Sequence, residues 1–318
     1  MEILMQNRSK DTATDVSHLV IDAKWNTELR GKAGELSIQM VHSPTFQVDE
    51  GCVVRFTKDT QPIFFGYVFK ISHKNDDTLN IVAYDQMKYL LYKDTYIFKA
   101  TKADEIIKKI ANDFLIQIGE IEDTEYVIPS MVEDGQTLLD IINKALDHTL
   151  INTKKDYILF DDFGKLSLKK VENMQSTILV IGNASLLTGY SYDRDIGSDT
   201  FNYIKLVKED KANQIRKAFY EKDVTNMENW GALQYYEKVK DNMSEAQIAE
   251  RAKLILSAKN RVKKSLKVDT LGDLKIRAGS LVFIKLPDLG IESFLRVNSA
   301  IHQFKSNQHT MSLGLGVI

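Results

Sequence analysis

The sequence predicts an α+β protein that is mainly β: two tube-type antiparallel β-barrel domains with an inserted α+β domain and a helical insertion in the second barrel. Three observations carry that expectation. The tail is built of short runs rich in β-branched and aromatic residues, Ser265–Asp269, Ser280–Leu286, Phe294–Phe304 and Thr310–Val317. Leu271-Gly272-Asp273, Pro287-Asp288-Leu289-Gly290 and Ser306-Asn307-Gln308 part them as turns. The first part of the chain repeats this spacing, as a second barrel would, and the stretch between changes to a helical period.

The first barrel is expected over residues 1–94. Leu19, Ile21, Ala23 and Trp25 alternate with more polar neighbours, as do Leu36, Ile38 and Met40, so each run is a strand with one buried face. Cys52–Thr57, Ile63–Ser72 and Leu79–Tyr84 continue the pattern, and Lys58–Pro62 and Lys74–Asp77 supply turns.

Residues 95–170 are expected to form the α+β domain. Thr101 is placed to cap a helix whose first turn carries Asp104 and Glu105, with Ile106, Ile107, Ile110 and Phe114 on one face. Leu138, Ile141, Ile142, Ala145 and Leu146 mark a second amphipathic helix. Tyr157–Phe160 and Lys165–Lys169 flank Asp161-Asp162-Phe163-Gly164, which reads as a hairpin turn.

The second barrel, residues 171–318, is expected to be discontinuous, with its helical insertion at residues 210–260. A strand pattern runs from Ile178 to Val207, a further strand fits Ala212–Tyr220, and Asn226–Tyr236 is irregular and aromatic. Met243–Arg261 predicts a helix with Ser244 as cap, Gln247 completing a capping box, and Ile248, Ala252, Ile255 and Leu256 on one stripe.

Composition narrows the function classes. A chain of 318 residues suits two or three domains. Lys and Arg total 42 against 44 Asp and Glu, a net charge of −2, so no specific nucleic-acid binding is expected. One cysteine, Cys52, leaves no internal disulfide and fits folding in a reducing cytosol. No apolar run approaches the ~20 residues that span a bilayer, and Met1–Lys10 lacks the apolar core of a secretory signal. Four prolines and no Gly/Ser-rich linker imply domains packed on one another.

The candidate motifs are better read as structure than as chemistry. Asp162-Phe163-Gly164 copies the kinase metal-binding tripeptide without a Gly-rich phosphate loop or a His-Arg-Asp loop, so a turn is expected. The acidic pairs Asp161/Asp162 and Asp193/Asp195 would need to straddle a cleft, one carboxyl holding a raised pKa, to act as a glycosidase pair. Neighbours in a turn are expected to be solvated instead, and Asp193 and Asp195 to form surface or interface ion pairs. His302 and His309 are expected to lie opposite each other across a hairpin and could share a metal, but no third ligand is apparent, so no metal or cofactor is expected. No catalytic residue is assigned. Phe64-Phe65-Gly66-Tyr67 and Tyr235-Tyr236 could stack bases or sugars, with core or interface packing the preferred reading.

Several stretches together resemble one family. They are Asp15–Val20 with Trp25, Phe65–Phe69 leading to Ala83-Tyr84-Asp85-Gln86, Ala103–Phe114, Thr137–Ala145, the Tyr157–Leu168 hairpin, Asp199–Val207, Trp230-Gly231 through Tyr235-Tyr236, and His302–Lys305 with His309-Thr310-Met311. Along nearly its full length the chain resembles the baseplate hub proteins of contractile phage tails, in the XkdQ/YqbQ-like branch of defective prophages and phage-tail-like bacteriocins. That resemblance implies a homotrimer whose paired barrels form a six-lobed ring adapting a threefold spike to a sixfold tail tube. It further implies three partners, namely the central spike, the tail tube or its initiator, and a small LysM-type baseplate protein. The location it implies is the baseplate of a virion or tail-like particle assembled in the bacterial cytoplasm. The competing expectations are a peptidoglycan hydrolase, suggested by the acidic pairs, and a carbohydrate-binding module, suggested by the aromatics.

Overall fold

The computed structural model describes residues 1–7, 12–44, 46–182, 186–210, 215–239, 243–306 and 308–316. Lys10, Ala212, Asn307 and Val317, at which expected elements begin, end or turn, lie outside the described residues. The chain divides into two compact units, one of Met1–Ser191 with Lys267–Gly316 and the other of Tyr192–Leu266.

In the first unit, the amino-terminal strands are β1 (Glu2–Gln6), β2 (Thr14–Asp15), β3 (Val20–Glu28), β4 (Glu35–Val41), β5 (Val53–Lys58), β6 (Gln61–His73) and β7 (Thr78–Tyr84). They lie in the order β3-β4-β7-β6-β5-β1-β2, and every contact between neighbours is antiparallel. The alternation read from sequence is realised in β4 and in the second half of β3: Ala23, Trp25, Leu36, Ile38 and Met40 point into one core with Ile3, Met5, Val54, Phe56 and Ile81. Ile21, by contrast, is exposed where the β3–β4 register shifts between Val20 and Asp22, and Leu19 lies in the turn before β3. Asp59 and Thr60, both at positive φ, make the tight turn between β5 and β6.

The helical module follows. It comprises β8 (Lys93–Lys102), α1 (Ala103–Asp113), β9 (Ile118–Ile121), β10 (Val127–Thr137), α2 (Leu138–Thr153), β11 (Tyr157–Asp161) and β12 (Leu166–Lys170). The helix faces read from sequence are the buried ones, including Ile106, Ile107 and Ile110 of α1 and Leu138, Ile141, Ile142, Ala145 and Leu146 of α2. The cap of α1 is displaced by one residue. Lys102, not Thr101, occupies the N-cap, and the Glu105 carboxylate accepts its backbone N–H at 2.8 Å. The core of this module also takes in Met87 and Leu90, which lie upstream of residue 95.

Next come β13 (Gln175–Gly182), β14 (Leu187–Asp195), β15 (Tyr203–Asp210), β16 (Ile215–Lys222), α3 (Val224–Trp230), β17 (Gln234–Lys238), α4 (Glu245–Lys259) and β18 (Lys263–Leu271). The end of the strand pattern expected over Ile178–Val207 falls in β15, which pairs with β16 and β17 in a separate three-stranded sheet, not with the second barrel. The insertion is therefore α/β in character and not only helical. Part of the stretch expected to be irregular is helical, because the Asp223 carboxylate accepts the Asn226 N–H at 3.0 Å and caps α3. Ser244 and Gln247 form the expected capping box of α4, and Ile248 and Ala252 are buried beside Ile204 and Leu206.

The tail supplies β19 (Leu281–Leu286), β20 (Ile291–Lys305) and β21 (Gln308–Gly316). The mainly β character is as expected, but barrel closure is not seen. Among the described residues no sheet closes on itself; the barrel strands belong to one 13-stranded sheet in which β20 hydrogen-bonds directly to β3. One contact within it, β13 with β19, is parallel where an antiparallel barrel was expected.

β20 can join the two β modules because its register slips. It pairs with β19 through Ile291–Arg296 and with β3 through Ser299–Lys305, and its ladder to β21 shifts between Val297 and Ser299. Leu295 and Val297 are buried before the slip, and Ala300, His302 and Phe304 after it. A strand alternates faces every residue, so one extra residue at Asn298 reassigns the buried face from odd to even positions. Phe304 then enters the core of the amino-terminal strands, edge-on to Phe56 at 4.9 Å. Phe304→Ala is expected to cost about 3–5 kcal/mol in urea unfolding. Deleting Asn298 should cost more, because it turns Ala300, His302 and Phe304 outward.

Candidate functional site at the sheet and hairpin junction

Three charged residues remote in sequence meet in the first unit. Asp85 ends the last strand of the amino-terminal set and caps the short 3-10 turn Gln86–Leu91: its Oδ1 accepts the Met87 N–H at 3.0 Å and its Oδ2 the Gly34 N–H at 2.9 Å. A Cβ at position 34 would stand 2.4 Å from Oδ2, so this approach requires glycine. Asp161 closes β11, and its Oδ1 accepts the Gly164 N–H at 2.7 Å. Arg277 arrives from the loop after β18, donates from Nη1 to the Asp161 carbonyl at 2.9 Å, and lies over the Phe160 ring at 4.4 Å. Its guanidinium also faces Trp25 of β3, 5.7 Å away.

The Asp161-Asp162-Phe163-Gly164 segment is the hairpin turn that the sequence suggested. Asp162 and Lys165 exchange both backbone hydrogen bonds, and Phe163 and Gly164 have φ of 50° and 84°, the left-handed pair of a type I′ turn. Phe163 meets Phe65 edge-on at 5.9 Å, and a Cβ on Gly164 would lie 2.5 Å from the Phe65 ring. The turn is thereby seated on β6.

The expectation that both turn aspartates are solvated fails for the first. Asp162 is exposed, whereas Asp161 is buried because the hairpin is pressed onto the sheet. Burial pushes the Asp161 carboxyl up to about 6 against the opposing pull of the Gly164 N–H and Arg277. Burial, and then the charge of Asp161, hold Asp85 well above the usual carboxylate range. Desolvation lowers the Arg277 pKa against the pull of Asp161 and Asp85. Asp161 Oδ2 and Arg277 Nε are enclosed without a hydrogen-bond partner. Beside them is a cavity of about 360 Å³ whose lining includes Trp25, Phe160, Asp162, Phe163, Arg277 and Ser280. The bond from Arg277 to the Asp161 carbonyl joins the loop after β18 to the hairpin. Asp85 and Arg277 carry no sequence signal of this role beyond the capping position of Asp85.

The histidines are neighbours but not opposite each other. Phe304 faces His309 across the hairpin, and His302 faces Met311. His302 and His309 are diagonal on one face, with Nδ1 of His302 2.9 Å from Nε2 of His309. His302 donates from Nε2 to the Ile276 carbonyl at 2.8 Å, so its Nδ1 accepts from His309. Both ring nitrogens of His302 are thus engaged, and among the described residues no group of three or more His, Cys, Asp or Glu is placed to hold a metal ion.

In the second unit, Asp195 accepts the Gly197 N–H at 2.7 Å and the Ser198 hydroxyl, a turn contact. The aromatic clusters mostly pack: Phe64 is buried, Tyr67 meets Tyr89 at 6.0 Å, and Tyr235 meets Phe201 at 5.3 Å, while Tyr236 stays exposed.

Two outcomes follow from this geometry. Arg277→Met leaves two buried carboxyls unbalanced and is expected to cost about 3–5 kcal/mol in denaturant unfolding. Burial lowers His302 to about 3 and His309 to about 4 from an ordinary 6.5. The unfolded chain then binds more protons, so their contribution is present above pH 6.5 and is lost as pH falls toward 4. Melting temperatures of His302→Gln should show a weaker acid-side decline than the parent.

The YQBQ-like family model matches residues 23–316, nearly all of the sheet and helical module. The phage-like element PBSX protein XkdQ of Bacillus subtilis (strain 168) is 36% identical over 271 residues, covering 84% of this chain and 82% of that protein. The crystal structure of the 43 kDa tail protein of prophage MuSo2 from Shewanella oneidensis has a similar fold, with a TM-score of 0.70 at 12% identity over 99% of this chain and 98% of the other. The E. coli c3393 protein is a component of the type VI secretion system with structural similarity to the T4 bacteriophage tail proteins gp27 and gp5. It matches with a TM-score of 0.58 at 9% identity over 98% of this chain and 76% of its own. By the extent of the family match and the identity to XkdQ, the chain belongs to the YQBQ-like family.

Proposed function

We propose that the protein is the structural hub of a contractile-tail or tail-like baseplate, a trimeric ring that joins the central spike to the tail tube. The observation that carries this reading is the single sheet in which β20 binds β3, two β modules fused edge to edge in one chain of a phage-element family. Three such chains present six β modules, the stoichiometry needed to match a threefold spike to a sixfold tube. A closed ring needs heterologous contacts whose rotation closes, and a permanent interface of this kind buries more than ~2,000 Å².

In this reading residues 1–94 and 171–318 form the ring and residues 95–170 decorate it, within reach of a LysM-type baseplate protein. The location is the baseplate of a virion or tail-like particle, assembled in the bacterial cytoplasm. None of the helices among the described residues is long and apolar enough to cross a membrane. The role is mechanical and not catalytic. In the Asp161/Asp162 pair the acid with a raised pKa, Asp161, is buried and bonded to Gly164, and Asp162 adjoins it in the same turn, not across a sugar-binding cleft.

Sedimentation of the purified chain with its cognate spike and tube proteins is expected to give a trimer of this subunit, seen as a six-lobed ring in averaged electron micrographs. A strictly monomeric protein that ignores both partners at high concentration overturns the reading. A peptidoglycan zymogram should show no clearing; clearing abolished by Asp161→Asn or Asp193→Asn would replace the hub with a hydrolase.

A further inference from the structure

We propose that the groove between α4 and β17 in the second unit binds an extended segment of a partner protein, which adds to the free edge of β17 and seats apolar side chains against α4. The sheet of this unit runs β16-β15-β17, with β17 parallel to β15. Among the described residues the other edge of β17 pairs with no strand, so the backbone groups that point away from β15 are open to a further ladder.

The groove follows from where the helix sits. α4 packs over β16 and β15, with Ile248 and Ala252 buried beside Ile204 and Leu206, and this leaves β17 at its flank. One stripe further round the helix, Arg251, Leu254 and Ala258 are exposed. Together with Met243, Ile255 and Tyr235 of β17 they line a mainly apolar groove of about 450 Å³. Leu254 is 62% exposed there, an uncovered apolar wall beside an unpaired strand edge. Arg251 is paired with Glu237 of β17 at 2.9 Å and Lys259 with Asp199 at 2.6 Å, so both cations of the lining are balanced. Glu250 also lines the groove and is exposed, with no ion pair among the described residues. The open charge of the groove is therefore negative.

Strand addition fixes the chemistry of the partner. Side chains alternate along β17: Tyr235 and Glu237 turn toward α4, and Tyr236 turns to the opposite face, where it is 47% exposed. An added strand alternates in the same way. It offers aliphatic side chains at i and i+2 to the groove and the residue between them to Tyr236, and a lysine or arginine beside the groove meets Glu250. Main-chain bonds supply affinity, and the groove that takes alternate side chains supplies specificity. A helix could fill the groove but would leave the β17 edge unpaired. A flat stacking ligand finds the Tyr235 ring already engaged, edge-on to Phe201 at 5.3 Å with its hydroxyl on Glu237 at 2.9 Å. A second copy is a poor occupant as well, because β16, the other edge of the sheet, lies under α4.

The test uses the full chain and a short blocked, fluorescein-labelled peptide that alternates valine and threonine and carries one lysine. Anisotropy is expected to show binding at up to millimolar protein, and hydrogen exchange of residues 234–238 is expected to slow when peptide is added. Leu254→Lys, a change at an exposed position, should weaken binding about 10-fold or more. Glu250→Lys should weaken it too, and should come to prefer the peptide in which glutamate replaces the lysine. A peptide N-methylated at alternate residues cannot form the ladder and should bind at least about 10-fold more weakly. Absence of binding, equal binding of the N-methylated peptide, or slowed exchange confined to other strands overturns the proposal. So does strong protection of residues 234–238 in the free chain. Self-association abolished by Leu254→Lys would assign the groove to a second copy and overturn it equally.

Discussion

The fold depends on β20 serving two modules with one backbone. Its first half completes the ladder to β19 and its second half the ladder to β3, and the extra residue at Asn298 lets each half bury its own side chains. A strand of constant register would bury one module and expose hydrophobic residues in the other. The slip removes that conflict locally and stiffens the joint, because two sets of ladder bonds converge on one strand. The resulting sheet has no seam at which the two β modules could swing apart without breaking backbone hydrogen bonds.

Where backbone pairing is absent, the hairpin after α2 is held by side chains. Phe163 sits on Phe65, Gly164 allows that close approach, and Arg277 stacks on Phe160 while bonding the hairpin's backbone. Aromatic packing fixes position, and the buried charges add a dependence on conditions that an apolar contact would lack. A buried guanidinium is costly to desolvate, and here that cost is offset by its bond to the Asp161 carbonyl and its stacking on Phe160.

Much of this was legible in the sequence, for reasons of range. The strands β3 to β7, α2 and the capping box of α4 follow from periodicity and from contacts three or four residues apart, which a sequence displays directly. The Asp162-Phe163-Gly164 turn was legible for the same reason. What was not legible depends on segments far apart in the chain. The pairing of β3 with β20 joins the two expected β modules in one sheet, and Asp161 looked like an ordinary turn residue until β6 and the Arg277 loop covered it. The Thr101 to Lys102 displacement shows the limit even of local reading, since Glu105 selects which neighbouring N–H it accepts.

The late position of β20 has a consequence for biosynthesis. At a ribosomal pace of ~5–20 residues per second, the emerging β3 waits on the order of tens of seconds before its partner is translated. Throughout that interval the first core lacks its Phe304 and one strand edge stands bare, an adhesive surface on a nascent chain. Neighbouring polysomes making the same polypeptide would offer identical bare edges to each other. The architecture thus favours either delayed collapse of the early strands or shielding by a chaperone until β20 has emerged.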